Sequence, residues 1–172
     1  RRTAMADDRL CPIEEHLPKG QPRGCVLVVS DYRPLNLGHA STLCLHGYAV
    51  YTAVTCTDVP RLFERYAPGD VDLVAFASLV HGWHHGEGET RPPGLCPTTD
   101  LQWQTRNMRA VVDLVADRQT RPPRVLIARE LMTYGWYRIT AEALAEAGLE
   151  YLTYPANDPH ALVDLLEADG SN

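Results

Sequence analysis

The sequence predicts an α/β protein built on a parallel sheet with helices on both faces. Short apolar runs alternate five times with segments of helical period. The first run, CVLVVS at Cys25–Ser30, is continuous and rich in β-branched residues, as in a strand covered on both sides. Glycine and proline punctuate the chain where the helical segments begin and end.

The elements follow in order along the chain. Five strands are predicted, at 25–30, 48–54, 71–80, 121–128 and 149–155. Five helices are predicted, at 33–47, 57–67, 99–117, 140–148 and 157–170. Asp58, Thr140 and Asp158 are the expected N-caps, and Gly148 is the expected stop of the fourth helix.

The length of 172 residues suits one domain with an adequate core. Residues 1–23 are rich in proline and charge and predict a surface arm; Arg1–Ala4 are interpreted as non-native residues preceding a native Met5. Residues 24–170 form the predicted domain. A turn-rich insertion interrupts it at about 81–99.

Composition restricts the classes of function. The net charge of −6 argues against a general nucleic-acid binder, because phosphate contacts need clustered Lys and Arg. No apolar run reaches the roughly 18 to 20 residues that span a bilayer, and the start lacks a signal peptide, so a cytoplasmic protein without membrane contact is expected. Reduced thiols in small apolar spaces are expected for the five cysteines, Cys11, Cys25, Cys44, Cys56 and Cys96.

Function in a parallel sheet gathers at the carboxyl ends of its strands. In this sequence the ends fall at Ser30/Asp31, Ala53/Val54, 77–81, 128–130 and 153–155.

Several of these segments resemble response-regulator receiver domains. The similar pieces are VLVVSDYRP, HGYAVYTA, VDLVAFA and AEAGLEYLTYP followed by DPHALVDLL, and they cover roughly residues 24–168 apart from the enlarged third crossover. The resemblance implies a flavodoxin-like, doubly wound sheet of five parallel strands in the order 2-1-3-4-5. It also implies phosphoryl transfer to an aspartate at the end of the third strand, assisted by Mg²⁺, a hydroxyl and a lysine.

The resemblance places other residues at nearly every position of this chemistry. The acidic pair falls on Ser30 and Asp31, the phosphoacceptor on Ala77, the hydroxyl on Ala128 and the lysine on Tyr154. One carboxylate of two would hold Mg²⁺ weakly, so no Mg²⁺ and no catalysis are expected. Strand alternation predicts that Ser78 points to the face opposite Ala77, and Tyr151 matches the family's switch aromatic.

The histidine-rich loop is the other candidate site. His81, His84, His85 and Cys96 are suitable Zn²⁺ ligands, but a second ligand pair at tight spacing is missing, so a solvated loop is favoured over a metal site. The candidate binding residues are Asp31, His81, Trp83, His84, His85 and Tyr151. Surface or cap roles are expected for His39, His46 and His160.

The expected function is therefore a pseudo-receiver, a signalling module that works without phosphorylation and binds a protein partner or a small ligand. By resemblance, docking or homodimerisation would use the fourth helix, fifth strand and fifth helix. No cofactor is expected. One alternative is a cobalamin-binding-like domain, because RPLNLGHASTLCLHGYAV is similar to the first crossover helix of that family, although its D-x-H-x-x-G signature is absent after Asp31. Another is a small enzyme that uses the histidine loop with Asp31 or Glu130.

Overall fold

The computed structural model describes residues 13–80, 101–133 and 138–169. The strands are β1 (Glu14–His16), β2 (Cys25–Val29), β3 (Ala49–Ala53), β4 (Leu73–Phe76), β5 (Arg124–Ala128) and β6 (Leu152–Tyr154). The helices are α1 (Arg33–Leu45), α2 (Asp58–Tyr66), α3 (Leu101–Ala116), α4 (Glu130–Thr133), α5 (Ala141–Glu146) and α6 (His160–Asp169).

The strands form one mixed sheet in the order β1-β3-β2-β4-β5-β6. β1 runs antiparallel to β3, and the other neighbouring pairs are parallel. The α/β class is confirmed, but the predicted five-stranded, wholly parallel sheet is wrong in strand count and in strand order. The five parallel strands keep their predicted order relative to one another, β3-β2-β4-β5-β6. The difference is β1, which is added at the edge beside β3.

The additional strand comes from the segment predicted to be a surface arm. β1 has three residues, too few to show a two-residue period in the sequence. Its side chains attach it to the edge of the sheet: Tyr51 Oη donates to Glu15 Oε2 at 2.9 Å, and Arg33 Nη2 donates to Glu14 Oε1 at 2.7 Å. These contacts join residues that are distant in the sequence and hold β1 at the edge of the sheet. The local sequence pattern therefore does not predict β1.

The sheet is covered on both faces, as the apolar strand sequences predict. Successive residues of β2 point to opposite faces, so Leu27 and Val29 enter one cluster while Val26 and Val28 enter the other. The first face is covered by buried residues of α2, α3 and α5, namely Val59, Leu62, Met108, Val111, Val115 and Leu144. The second is covered by buried residues of α1 and α6, namely Ala40, Leu43, Leu162 and Val163.

The local signals at the helix ends are confirmed in part. Thr140 caps α5, since its Oγ1 accepts a hydrogen bond from the Ala143 N–H at 3.1 Å. Gly148 follows α5 with φ of +69°, a left-handed conformation that glycine adopts at low cost.

Within the described ranges, no helix is both long enough and apolar enough to cross a membrane.

Asp58 is not the N-cap of its helix. Thr57 occupies that position, and Asp58 is the first residue of α2. The Asp58 carboxylate is fully buried and accepts hydrogen bonds from the backbone N–H groups of Thr55, at 2.9 Å, and Val54, at 3.2 Å. It therefore organises the turn that carries the chain from β3 into α2.

Replacing Asp58 by alanine should strongly destabilise the fold. The substitution leaves two backbone N–H groups near the core without an acceptor, and each such loss costs about 1–3 kcal/mol. We expect the free energy of unfolding to fall by about 2–4 kcal/mol in urea titrations monitored by circular dichroism. Asp70→Ala, at an exposed aspartate in the next turn, is the control and should change it by less than about 0.5 kcal/mol. Equal effects of the two variants would contradict the role of Asp58.

Candidate functional site

A cleft of about 520 Å³ opens at the carboxyl ends of the parallel strands. Its lining residues come from α1, from the segment after β4, from α4 and from the turn after β6: they are Leu35, Ala77, Ser78, Leu79, Glu130, Leu131, Ala156 and Asn157. The volume lies in the range of small-molecule sites, about 300–1,000 Å³. The walls are mainly apolar, and three lining residues are polar.

The polar residues nearest β2 form a hydrogen-bonded cluster. Ser78 Oγ donates to Asp31 Oδ1 at 2.5 Å and lies 2.5 Å from Ser30 Oγ. The backbone N–H of Asp31 donates to the same Ser78 oxygen at 3.2 Å. The prediction that Ser78 points to the face opposite Ala77 is wrong: both residues line the cleft, because β4 ends at Phe76 and the alternation of a strand no longer applies two residues later.

The cluster leaves Ser78 without spare hydrogen-bonding capacity. A hydroxyl has one proton and two acceptor sites. The Ser78 proton goes to Asp31, and the two acceptor sites face the Asp31 N–H and the Ser30 hydroxyl. Ser30 in turn accepts from the backbone N–H of Tyr32 at 3.0 Å. The arrangement joins the segments that follow β2 and β4 and commits the Ser78 proton to the Asp31 carboxylate.

The other positions that the receiver resemblance assigns to phosphoryl transfer are buried. Ala77 follows β4 and Ala128 ends β5, and at most 3% of either residue is exposed. Tyr154 ends β6 beside Ala128, its partner in the β5–β6 register, and is 1% exposed. The structure therefore brings Ser30, Asp31 and Ala77 to one edge, with Ala128 and Tyr154 on the neighbouring strands.

Tyr154 is paired with a histidine that the sequence analysis assigned to the surface. His39 lies on α1 and is 1% exposed, so that expectation is wrong for His39. Its Nδ1 lies 2.7 Å from the Leu35 carbonyl oxygen, which can only accept, so Nδ1 carries the proton. The neutral ring then accepts at Nε2 from Tyr154 Oη, at 2.9 Å. Burial lowers the pKa of His39 and raises that of Tyr154.

Glu130 is the charged residue of the cleft lining, and it is half-buried. Its Oε2 accepts a hydrogen bond from the backbone N–H of Ala156 at 3.0 Å, which joins α4 to the turn after β6. The sequence places Glu130 at a predicted strand end and in the alternative enzyme, but it does not single out Asn157. Their position directly after strands β5 and β6 was the available signal.

Two buried amides on α3 hold the chain where it leaves β4, and they were also missed. Gln104 Oε1 accepts from the Val80 N–H at 2.7 Å, and Asn107 Nδ2 donates to the Val80 carbonyl oxygen at 2.8 Å. Both amides are fully buried. Polar residues three positions apart within an apolar helix face were the available signal.

Several predicted site residues are not part of this cleft as described. His81, Trp83, His84, His85 and Cys96 lie outside the described residues. Tyr151 precedes β6, packs partly buried against the first core cluster and does not line the cleft. Among the described side chains, no three His, Cys, Asp or Glu residues are grouped so that they could hold a metal ion.

The His39–Tyr154 pair predicts a loss of stability in mild acid. The pKa of His39 is lowered in the fold, so the unfolded chain binds a proton first as the pH falls below about 6.5. Stability is therefore complete above that pH and decreases as the pH falls towards the lowered pKa. Urea unfolding at a series of pH values should show this slope in the wild type.

His39→Gln should remove that part of the slope, because the amide does not titrate. His160→Gln makes the same change at an exposed histidine and should keep the wild-type slope. The same pH dependence in H39Q and in the wild type would contradict the assignment.

A scan against models of protein families finds no match, and a search of curated proteins finds no significant similarity.

Proposed function

We propose that this chain is a cytoplasmic, phosphorylation-independent pseudo-receiver. In this proposal the fold is flavodoxin-like and receiver-like, with β1 added to the edge of its five parallel strands. The module has lost phosphoryl transfer and acts through the binding of a small ligand or a protein partner. The observation that carries the proposal is the state of the strand ends, where Ala77 stands in place of an acceptor beside a hydrogen-bonded cluster and an open cleft.

The charges at the strand ends support the loss of phosphotransfer. A transferring phosphoryl group needs cations and donors around it. At the lysine position, Tyr154 is committed to the neutral imidazole of His39. At the acidic pair, Ser78 donates to Asp31 and is itself hydrogen bonded to Ser30, in the place where a metal ligand set would be needed. The side chains of the protein itself satisfy one another there.

The cleft supports ligand binding as the replacement activity. Its apolar walls and few polar groups are typical of small-molecule sites in α/β proteins, which lie beyond the carboxyl ends of the strands. A signal in such a module would be the occupancy of the cleft. The segments after β4, β5 and β6 meet there, so a ligand would contact all three segments at once.

The face formed by α5, β6 and α6 is the proposed docking or homodimer surface. β6 is the last strand of the sheet, so one of its edges is unpaired within the described part of the chain. Leu152 on β6 is 49% exposed, an apolar side chain on an edge strand. Exposed apolar side chains at an unpaired edge favour association with another chain.

Phosphoryl donors should have no effect on this protein. We expect neither acetyl phosphate with Mg²⁺ nor beryllofluoride with Mg²⁺ to change the intact mass or the melting temperature. An active receiver domain treated in parallel is the positive control.

Addition of one phosphoryl group, or a rise in melting temperature with beryllofluoride, would contradict the proposal. The Ser78→Ala variant would then show whether Ser78 is the acceptor, because its mass would stay unchanged if it is.

Homodimerisation through the proposed face predicts a response to Leu152→Arg. The wild type should sediment as a dimer, and the variant should sediment as a monomer because the charge cannot be buried in the interface. Leu45→Arg changes a leucine that is 87% exposed at the end of α1 and should remain dimeric. A monomeric wild type at all concentrations, or a dimeric L152R, would contradict this use of the face.

A further inference from the structure

A ligand in the cleft would meet few polar side chains, and these differ in how much hydrogen-bonding capacity they have left. Ser78 is saturated by Asp31 and Ser30 and has no proton to offer. Among the described lining residues, this leaves Glu130 and Asn157 to recognise a ligand. The remaining five lining residues are leucine or alanine, and their side chains provide apolar contact.

Glu130 is held in place and still has acceptor capacity. One oxygen accepts the Ala156 N–H at 3.0 Å, which fixes the orientation of the carboxylate at the wall of the cleft. A carboxylate has about four acceptor sites on its two oxygens, so one backbone bond uses a small part of them. No Lys, Arg or His among the described residues forms an ion pair with Glu130, and none of the cleft's described lining residues is basic.

This arrangement favours a ligand of positive charge over one of negative charge. A half-buried carboxylate repels a phosphate or carboxylate placed beside it, and no described lining residue offers a compensating cation. A ligand with N–H donors gains charge-assisted hydrogen bonds from the same group. The cleft is thus opposite in charge preference to a phosphoryl-binding site.

From these observations we infer that the cleft binds a small molecule with an apolar body and a cationic, N–H-rich end group such as an amine or amidine. Glu130 accepts hydrogen bonds from that end group, and the exposed amide of Asn157 provides a neutral second contact at the rim. The apolar walls, Leu35, Leu79 and Leu131, contact the body of the ligand. This inference rests on the proposed ligand-binding function and names the class of ligand.

Three matched probes test the inference on the full chain. Benzamidine, benzamide and benzoate have the same ring and carry a cationic, a neutral and an anionic end group. Titration followed by the backbone amide signals of Leu131, Ala156 and Asn157 gives an affinity for each probe at this site. We expect benzamidine to bind at least about tenfold more tightly than benzoate, since hydrogen bonds to a charged group are the strong ones.

The variant Glu130→Gln keeps an oxygen for the Ala156 N–H and removes the charge. It should weaken benzamidine binding about tenfold and change benzamide binding by less than about twofold. Asn157→Ala should weaken binding of both probes to a smaller and equal degree. Glu64→Gln makes the same chemical change at an exposed position on α2 and should leave all three affinities unchanged.

The outcomes distinguish the class of ligand from the existence of the site. Tighter binding of benzoate at the same signals, or unchanged benzamidine binding in E130Q, would overturn the class and leave the cleft as a ligand site. No response of these signals to any of the three probes would overturn both the class and the proposed ligand-binding function.

Discussion

The burial of β2 on both faces is the constraint on which the remaining structure depends. All five residues of β2 are buried, with alternate side chains feeding the two core clusters. A strand in this position cannot leave polar groups unsatisfied where it ends. Ser30, the next residue, is also fully buried, and its hydroxyl is bonded to Ser78 and to the backbone N–H of Tyr32. The serine cluster is therefore a requirement of the fold as well as a feature of the site.

The same constraint accounts for the hydrogen bonding at the ends of the neighbouring strands. In a phosphoryl-transfer site, the metal ion and the phosphoryl oxygens would satisfy the polar groups at the strand ends. Here side chains of the protein do so: Ser78 bridges Ser30 and Asp31, and His39 Nε2 accepts a hydrogen bond from Tyr154 Oη. Ala77 and Ala128 fill the space between with methyl groups. The strand ends are thereby joined by contacts that need no bound ion.

Residues with strong local signals could be predicted, and residues that depend on distant contacts could not. The apolar runs identified β2 to β6, and Thr140 was recognised as a cap because capping involves residues three positions apart. β1 was missed because its pairing with β3 joins residues far apart in the chain. Ser78 was assigned to the wrong face because the end of β4 cannot be located from apolar content alone. His39 was assigned to the surface because its partner, Tyr154, lies 115 residues away.

The two amides that hold Val80 have a consequence for how this chain can change. Gln104 and Asn107 are hydrogen bonded to the N–H and the C=O of Val80. The segment that follows β4 is therefore joined directly to the first turns of α3. The residues numbered 81–100 connect two points whose separation the amides already set. Lengthening such a connection costs little, about 0.6 kcal/mol for each doubling. Insertions between Val80 and α3 should therefore cost the sheet little stability, because the contacts of Val80 hold the two points together whatever the length of the connection.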